Sequence, residues 1–316
     1  MNKGISAATK LRRAAFVLAF VAFAFVSATA QVSPAPQPSP SAFPSPSPTP
    51  QAKPTPSLES HFVKNILDDQ RAIWLSPFHM GRGDAKWLLP VGSAAAVLFA
   101  TDRHTGGEAE EGGSNSTRVR ISNDFSQLGS FYATGGIAAA FYFVGRAKDD
   151  ARAQETGLLG AEALVDSGIV VTALKSVARR QRPTTDHASG EFFSGGTSFP
   201  SGHSISAWSL AAVVAGEYGH HRPALRFAVY GLAAAVSLSR YGGRNHFLSD
   251  VLVGSAIGYG IGHYVYLKRH DPALDGEPGK HSALRSKYFP AAIAPRFGGD
   301  GTRKGREYGA LLAWNF

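Results

Sequence analysis

What most constrains this chain is a succession of apolar stretches, each about one helix long, between residues 86 and 268. They fall at about 86–101, 127–147, 156–180, 203–219, 224–240 and 249–268, and are rich in Ala, Gly, Leu and Val. Apolar runs of this length without apolar–polar alternation read as helices rather than strands. The body is therefore expected to be all-α, a helical bundle of about six core helices. Two stretches between them, the acidic, Gly-rich 102–124 and 183–200, are expected to be loops with little structure of their own. Ahead of the bundle, Leu58, Phe62, Ile66, Leu67, Ile73 and Trp74 recur at helical spacing. That stripe predicts a helix packed on its own domain, with a membrane surface as the alternative.

The flanks have other compositions. Lys3, Lys10, Arg12 and Arg13 precede an unbroken apolar run from Ala14 to Val26, followed by Ala28-Thr29-Ala30. Residues 1–30 read as a signal peptide, the alternative being an uncleaved anchor; export to the bacterial envelope is expected either way. Residues 31–56 form a Pro/Ser-rich linker, with ten prolines between 32 and 56, and are expected to be extended. The helical domain is placed at 57–280. In the tail, 281–316, two short runs flank Gly298-Gly299-Asp300-Gly301, which predicts a short C-terminal β-hairpin.

Charge and cysteine content narrow the function. The chain has 32 Lys+Arg and 23 Asp+Glu; without the leader's four cations the balance is 28 to 23, or +5. That excess suits an anionic substrate or lipid headgroups, and with no nucleic-acid motif visible no nucleic-acid partner is expected. No cysteine is present, so disulfides, thiolate nucleophiles and Cys-based metal sites are excluded.

Three short motifs lie between residues 175 and 250. Lys175 is followed after six residues by Arg182-Pro183; then come Pro200-Ser201-Gly202-His203; then Ser239-Arg240, His246 and Asp250. Lys175 and Arg182 are seven apart, nearly two helical turns, so both could point one way along a helix ended by Pro183. Ser201 is a reasonable N-cap, and Gly202 lets the backbone of a helix start approach an anion. His246 and Asp250, four apart, could share one helix face, with the carboxylate holding one imidazole nitrogen as N–H. Arg240 adds a guanidinium fork. Each motif alone has a plain structural reading. Cations at a helix C-terminus complement its dipole, a Ser before a helix caps it, and a His/Asp pair is often a surface contact. Arg179 and Arg180 fall outside the spacing and are expected to be solvated.

In order and spacing the three motifs resemble, without a substitution, those of the type 2 phosphatidic acid phosphatases. That superfamily also includes bacterial nonspecific acid phosphatases and vanadium haloperoxidases. The resemblance implies that His246 is the nucleophile, Asp250 its partner and His203 the general acid. It also implies that Lys175, Arg182, Ser201, Gly202 and Arg240 bind phosphate. The implied enzyme is a metal-independent phosphatase acting on a phosphomonoester or pyrophosphate, commonly a lipid phosphate, through a phosphohistidine, with no cofactor and no metal. A vanadium-dependent haloperoxidase and a non-catalytic anion-binding envelope protein are the alternatives.

Integral members of the family span the membrane. Here the unbroken apolar runs, such as Trp87–Ala100 and Phe227–Ser239, are short of the ~20 residues a span needs. Only Val251–Leu267 approaches that length. Glu162 and Asp166 interrupt the third segment, costly in lipid unless they face inward. A periplasmic domain with possible membrane contact is expected, integral and peripheral attachment both remaining open.

Overall fold

The structure, a computed structural model, describes residues 58–275 except 82, 112–116, 186–189 and 221, and two strand segments beyond. Eight α-helices are found among the described residues. They are α1 (Leu58–Leu75), α2 (Ala85–Glu111), α3 (Thr117–Ser126), α4 (Phe131–Ala147), α5 (Ala151–Ala178), α6 (Gly202–Gly219), α7 (Pro223–Gly242) and α8 (Leu248–Arg269). The helical expectation holds for this body, which forms one compact unit ending at His270. From Asp271 a second unit holds two short strands, Ala292–Gly298 and Glu307–Ala313. Their connecting residues, 299–306, lie outside the described residues, and the expected hairpin is not supported as part of the fold. The leader and linker, residues 1–57, also lie outside them.

Helix boundaries follow local chemistry. Ser130 caps α4 by accepting the Ala133 N–H at 3.2 Å, and Asp150 caps α5 through the Ala153 N–H at 3.0 Å. Pro223, whose missing N–H costs nothing in a first turn, opens α7. The stretch 102–124, expected as a loop, is largely helical: α2 continues to Glu111 and α3 begins at Thr117. Asp102 is one reason, because a buried contact described below holds it inside the bundle.

The centre of the bundle is the α6–α8 pair. Gly254, Gly258 and Gly262, spaced by four, line one face of α8 against Ser201, Ile205 and Ser209, spaced alike from the N-cap of α6 into the helix. A Cβ on Gly258 would lie 2.3 Å from the Ile205 carbonyl oxygen, and one on Gly254 2.8 Å from that of Ser201. The two backbones are in direct contact along this seam. Leu159, Ala163, Val170, Val213, Ile261 and Val265 close the core around it.

Glu162 and Asp166 face inward, 1% and 0% exposed. Asn65 and Gln70 of α1 donate to their carboxylates at 3.3 and 2.8 Å, so α1 docks on α5 through polar contacts as well as through Leu58 and Ile73. These acids therefore do not argue against a membrane setting. Among the described residues the single helix long and apolar enough to cross a membrane is α5, not the 251–267 run, although 56% of its apolar window is buried in the bundle. The bent pair Thr117–Gly129 and Phe131–Ala147 passes as well if taken as one span. Elsewhere large apolar side chains face outward. Trp87, Leu89 and Val97 on α2, Val63 and Leu67 on α1, Phe143 on α4 and Phe227 on α7 are each at least 62% exposed. Of the described side chains of α2, only Ala95 and Asp102 are buried.

Candidate active site

Four helix ends meet at one end of the bundle. Lys175 lies one turn before the end of α5, His203 is the second residue of α6, Arg240 lies near the end of α7, and Asp250 is in the first turn of α8. The expected single helix carrying Lys175 and Arg182 is not what forms. Helix α5 stops at Ala178, because Arg179 turns left-handed (φ 44°). The freed carbonyls of Ala178 and Arg179 instead accept N–H groups of Phe193, Ser194 and Gly196. The loop thus folds back over the helix end, and both cations reach Thr197. Lys175 Nζ donates to its carbonyl and Arg182 Nη2 to its hydroxyl, the latter at 3.3 Å.

His246 is likewise not on the helix of Asp250; it precedes the N-cap, Phe247. Its Nδ1 lies 2.7 Å from the Ser198 carbonyl and 3.8 Å from Asp250 Oδ2. A carbonyl can only accept, so Nδ1 carries the hydrogen and Nε2 keeps its lone pair. The imidazole is thus oriented by Ser198, with Asp250 as a charge beside it. Asp250 in turn is tightly held. Oδ2 accepts the Ser198 hydroxyl at 2.5 Å and the Phe247 N–H at 3.0 Å, and Oδ1 accepts Arg180 Nη1 at 2.6 Å. Burial alone would raise its pKa, but His246, Arg180 and Ser198 outweigh it and hold the carboxyl below its ordinary value.

Ser201 occupies the N-cap position of α6, yet its hydroxyl makes no cap; it accepts the Ser204 hydroxyl at 3.0 Å. Its N–H donates to the Asp250 carbonyl at 3.1 Å, pinning the start of α6 to α8. A Cβ on Gly202 would meet only ordinary contacts, Val171 at 3.8 Å and Lys175 Cε and Phe131 at 4.0 Å. No protein neighbour therefore requires glycine at that position. Arg240 donates from Nη1 to Ser126 at 2.8 Å, while its Nε and the His203 Nε2 are buried with no hydrogen-bond partner. Buried polar atoms are rarely left so.

The cations act on one another. Burial and then Arg182 push Lys175 down to about 8, and burial and then Arg182 push Arg240 to about 10, still a cation at neutral pH. Burial and then Arg240 bring His203 to about 3. Burial brings His246 to about 4 against the opposing pull of Asp250. Both imidazoles are neutral at pH 7 beside a concentration of positive charge, an arrangement suited to binding an anion.

Sequence reasoning missed four residues and misplaced one. Arg180, expected in solvent, is 3% exposed. Besides Asp250 it bonds Ser249 at 2.7 Å, Asp102 at 2.8 Å and the Gly190 carbonyl at 3.1 Å, and its guanidinium lies 4.3, 4.8 and 5.3 Å from the rings of Phe247, Phe192 and Phe99. Asp102, Ser126, Thr197 and Ser198 carried no signal in sequence, since each depends on contacts across the fold. Between α4, α6 and α7 runs a cavity of about 400 Å³, lined by Leu128, Ile137, Phe141, Leu210, Val229 and Val236 among others and reaching Tyr218 and Arg222 near the far end of α6.

The family model of the PAP2 superfamily, the superfamily that the motifs resemble, matches residues 156–272, which include every motif residue named above. The chain is 30% identical over 178 residues to the lipid A 1-phosphatase of Porphyromonas gingivalis, an alignment covering 56% of this chain and 37% of that protein. It thus spans little more than a third of that relative's length. Among solved structures it overlaps Aquifex aeolicus LpxE (TM-score 0.38, 22% identity, 48% of this chain and 86% of that one). It also overlaps the transmembrane PAP2-type phosphatidylglycerolphosphate phosphatase from Bacillus subtilis (TM-score 0.42, 19% identity, 66% and 94%).

Proposed function

We propose that this chain is a phosphatase that hydrolyses a lipid phosphate through a phosphohistidine, without a metal at the reacting centre. The observation that carries the reading is the convergence of Lys175, Arg182, Arg240 and His203 on His246, whose Nδ1 is tied to Ser198 so that Nε2 is left to attack. The bound phosphate anion offsets the surrounding positive charge, so that His203 takes up a proton on binding. In the first step Nε2 of His246 then forms a bond to phosphorus, the P–O bond to the leaving group breaks, and His203 gives that oxygen its proton. In the second, water attacks phosphorus, His203 takes its proton, and the P–N bond breaks to release phosphate. Lys175, Arg182, Arg240 and the N–H groups at the start of α6, with Ser201 and Gly202, hold the phosphoryl oxygens. Asp250 stabilises the charge that develops on His246.

Three things support a lipid substrate: the name of the 30% identical relative, the apolar cavity between α4, α6 and α7, and the outward-facing apolar side chains. Phe131, 37% exposed and close to Gly202, puts an apolar wall at the pocket itself. We further place the domain, 57–280, in the cell envelope against a lipid surface, delivered by the leader and held by the 31–56 linker.

The test uses full-length protein on a panel of lipid and soluble phosphomonoesters, with trapping of the phosphoenzyme. Lipid phosphates are the preferred substrates, and His246→Ala abolishes both the trapped intermediate and turnover. His203→Ala loses ~10²–10⁴-fold on alkyl phosphates and much less on p-nitrophenyl phosphate, whose leaving group needs no proton. A phosphoenzyme that persists in His246→Ala sinks the mechanism.

A further inference from the structure

At the opposite end of the bundle, three helix ends bring together a second set of titratable side chains. Glu155 lies in the second turn of α5, Glu217 near the end of α6, and His270 directly after α8. From Glu155 to Lys175 is 20 residues of one helix, about 30 Å at 1.5 Å per residue, so this cluster is remote from the phosphate pocket. One ligand atom from each of the three lies within 4.8 Å of the others.

The geometry points to a divalent transition-metal site: we propose that Glu155, Glu217 and His270 bind a first-row ion of the Zn²⁺ or Mn²⁺ type, stapling the ends of α5, α6 and α8.

The donor set is the first support. Two carboxylates and an imidazole suit such ions, and leave coordination positions for water. The separations are the second. His270 Nδ1 is 2.8 Å from Glu155 Oε1 and 3.1 Å from Glu217 Oε1. Ligands ~2.1 Å from a common ion at right angles stand about 3.0 Å apart, so little movement would admit a metal among them. The ring of His270 is already aimed, stacked on Tyr266 with centroids 4.7 Å apart.

The third support is independent of the cluster's composition. Glu217 has no exposed side-chain surface, and its second oxygen, Oε2, has no hydrogen-bond partner. An unsatisfied carboxylate oxygen in the interior is unfavourable unless a proton or a cation meets it. Burial and then the repulsion of Glu155 raise the Glu217 carboxyl to about 8, with His270 opposing. Among the described residues a second close acid cluster, Asp69, Glu162 and Asp166, also holds buried carboxylate oxygens without a hydrogen-bond partner. There Lys268 and Arg269 each lie 2.8 Å from Asp69, and Arg269 Nε lies 2.5 Å from Glu162, so that cluster is built as an ion-pair network and has no imidazole in it.

The site takes no part in the phosphatase reaction proposed above and stands or falls apart from it. The test uses untagged full-length protein, its metal content measured as purified and after chelation, with Zn²⁺ and Mn²⁺ added back one at a time. Expected are about one equivalent of metal bound, a fall in Tm on chelation that add-back reverses, and loss of both in Glu217→Gln and His270→Ala. Turnover on p-nitrophenyl phosphate, measured at a temperature where chelated protein stays folded, is unchanged by chelation. Should the variants not fold, Co²⁺ added to chelated wild-type protein supplies the reading, through visible d–d absorption that Zn²⁺ displaces. Metal-free protein whose Tm ignores chelator and added ions, with no Co²⁺ band, overturns the proposal and leaves a proton shared between the two carboxyls. Loss of turnover on chelation with Tm unchanged would count against the metal-free phosphatase mechanism instead.

Discussion

The glycine seam between α6 and α8 sets the distance between the two halves of the site, and Gly258→Ala tests it. The new Cβ would stand 2.3 Å from the Ile205 carbonyl oxygen and 2.9 Å from the carbonyl carbon and Cα of that residue, all backbone atoms that no rotamer change can clear. Restoring ordinary contact requires the helices to part by roughly 1 Å, and a misplacement of that size at a reacting centre costs on the order of 10²-fold in rate. The displacement passes to the site directly. Helix α6 carries His203 two residues before Ile205, and the Ser201 N–H bonds the Asp250 carbonyl at 3.1 Å on the facing helix. Overpacking costs about 1–3 kcal/mol, offset by about 1 kcal/mol from replacing a helical glycine. At ~2–4 °C per kcal/mol, a Tm change between zero and a fall of several degrees is expected. Gly260→Ala is the control on the same helix. No atom lies within 4 Å of its new Cβ, so it should keep full kcat and gain a few degrees. Both variants are assayed on p-nitrophenyl phosphate and melted under the same conditions. If Gly258→Ala turns over as fast as Gly260→Ala, the close approach of α6 and α8 does not position the site and the reasoning fails.

Three further outcomes are expected. An anion in the pocket cancels the positive field that helps hold His203 near 3, so its pKa rises on binding and a proton is taken up. Vanadate or phosphate should therefore bind more tightly as pH falls towards 5, and more weakly as pH rises through about 8, where Lys175 loses its charge. Calorimetry in buffers of different ionisation enthalpy reads the proton uptake, and none between pH 5 and 8 would refute the shift. Gly202→Ala should fold with unchanged Tm, since its Cβ meets nothing closer than 3.8 Å, but raise KM for every phosphate substrate by crowding the anion. An unchanged KM would show that the backbone at Gly202 does not approach the substrate. Asp102→Asn leaves the buried Arg180 short of one counter-charge; breaking such a pair costs about 3–5 kcal/mol, so Tm should fall by ~6–20 °C.

How far the sequence could be read divides along a physical line. Helices and the three motifs were legible because their signals are local: an apolar run, a proline, a glycine beside a histidine. The relation between motif residues was not. Lys175 and Arg182 converge through a loop that folds back on Thr197, and His246 is oriented from Ser198, 48 positions away. Arg180 shows the limit most clearly, because two residues from a motif arginine it looks like one more surface cation. Its burial depends on Asp102, 78 positions upstream, and on three phenylalanines from separate segments. A buried guanidinium is tolerable only when counter-charges and ring faces meet it together, a condition of assembly that no window of sequence contains. The same dependence explains why the stretch after residue 101 reads as a loop in the sequence. Asp102 reads as the polar end of an apolar helix, whereas in the fold it is the point where α2 is tied to the base of the site.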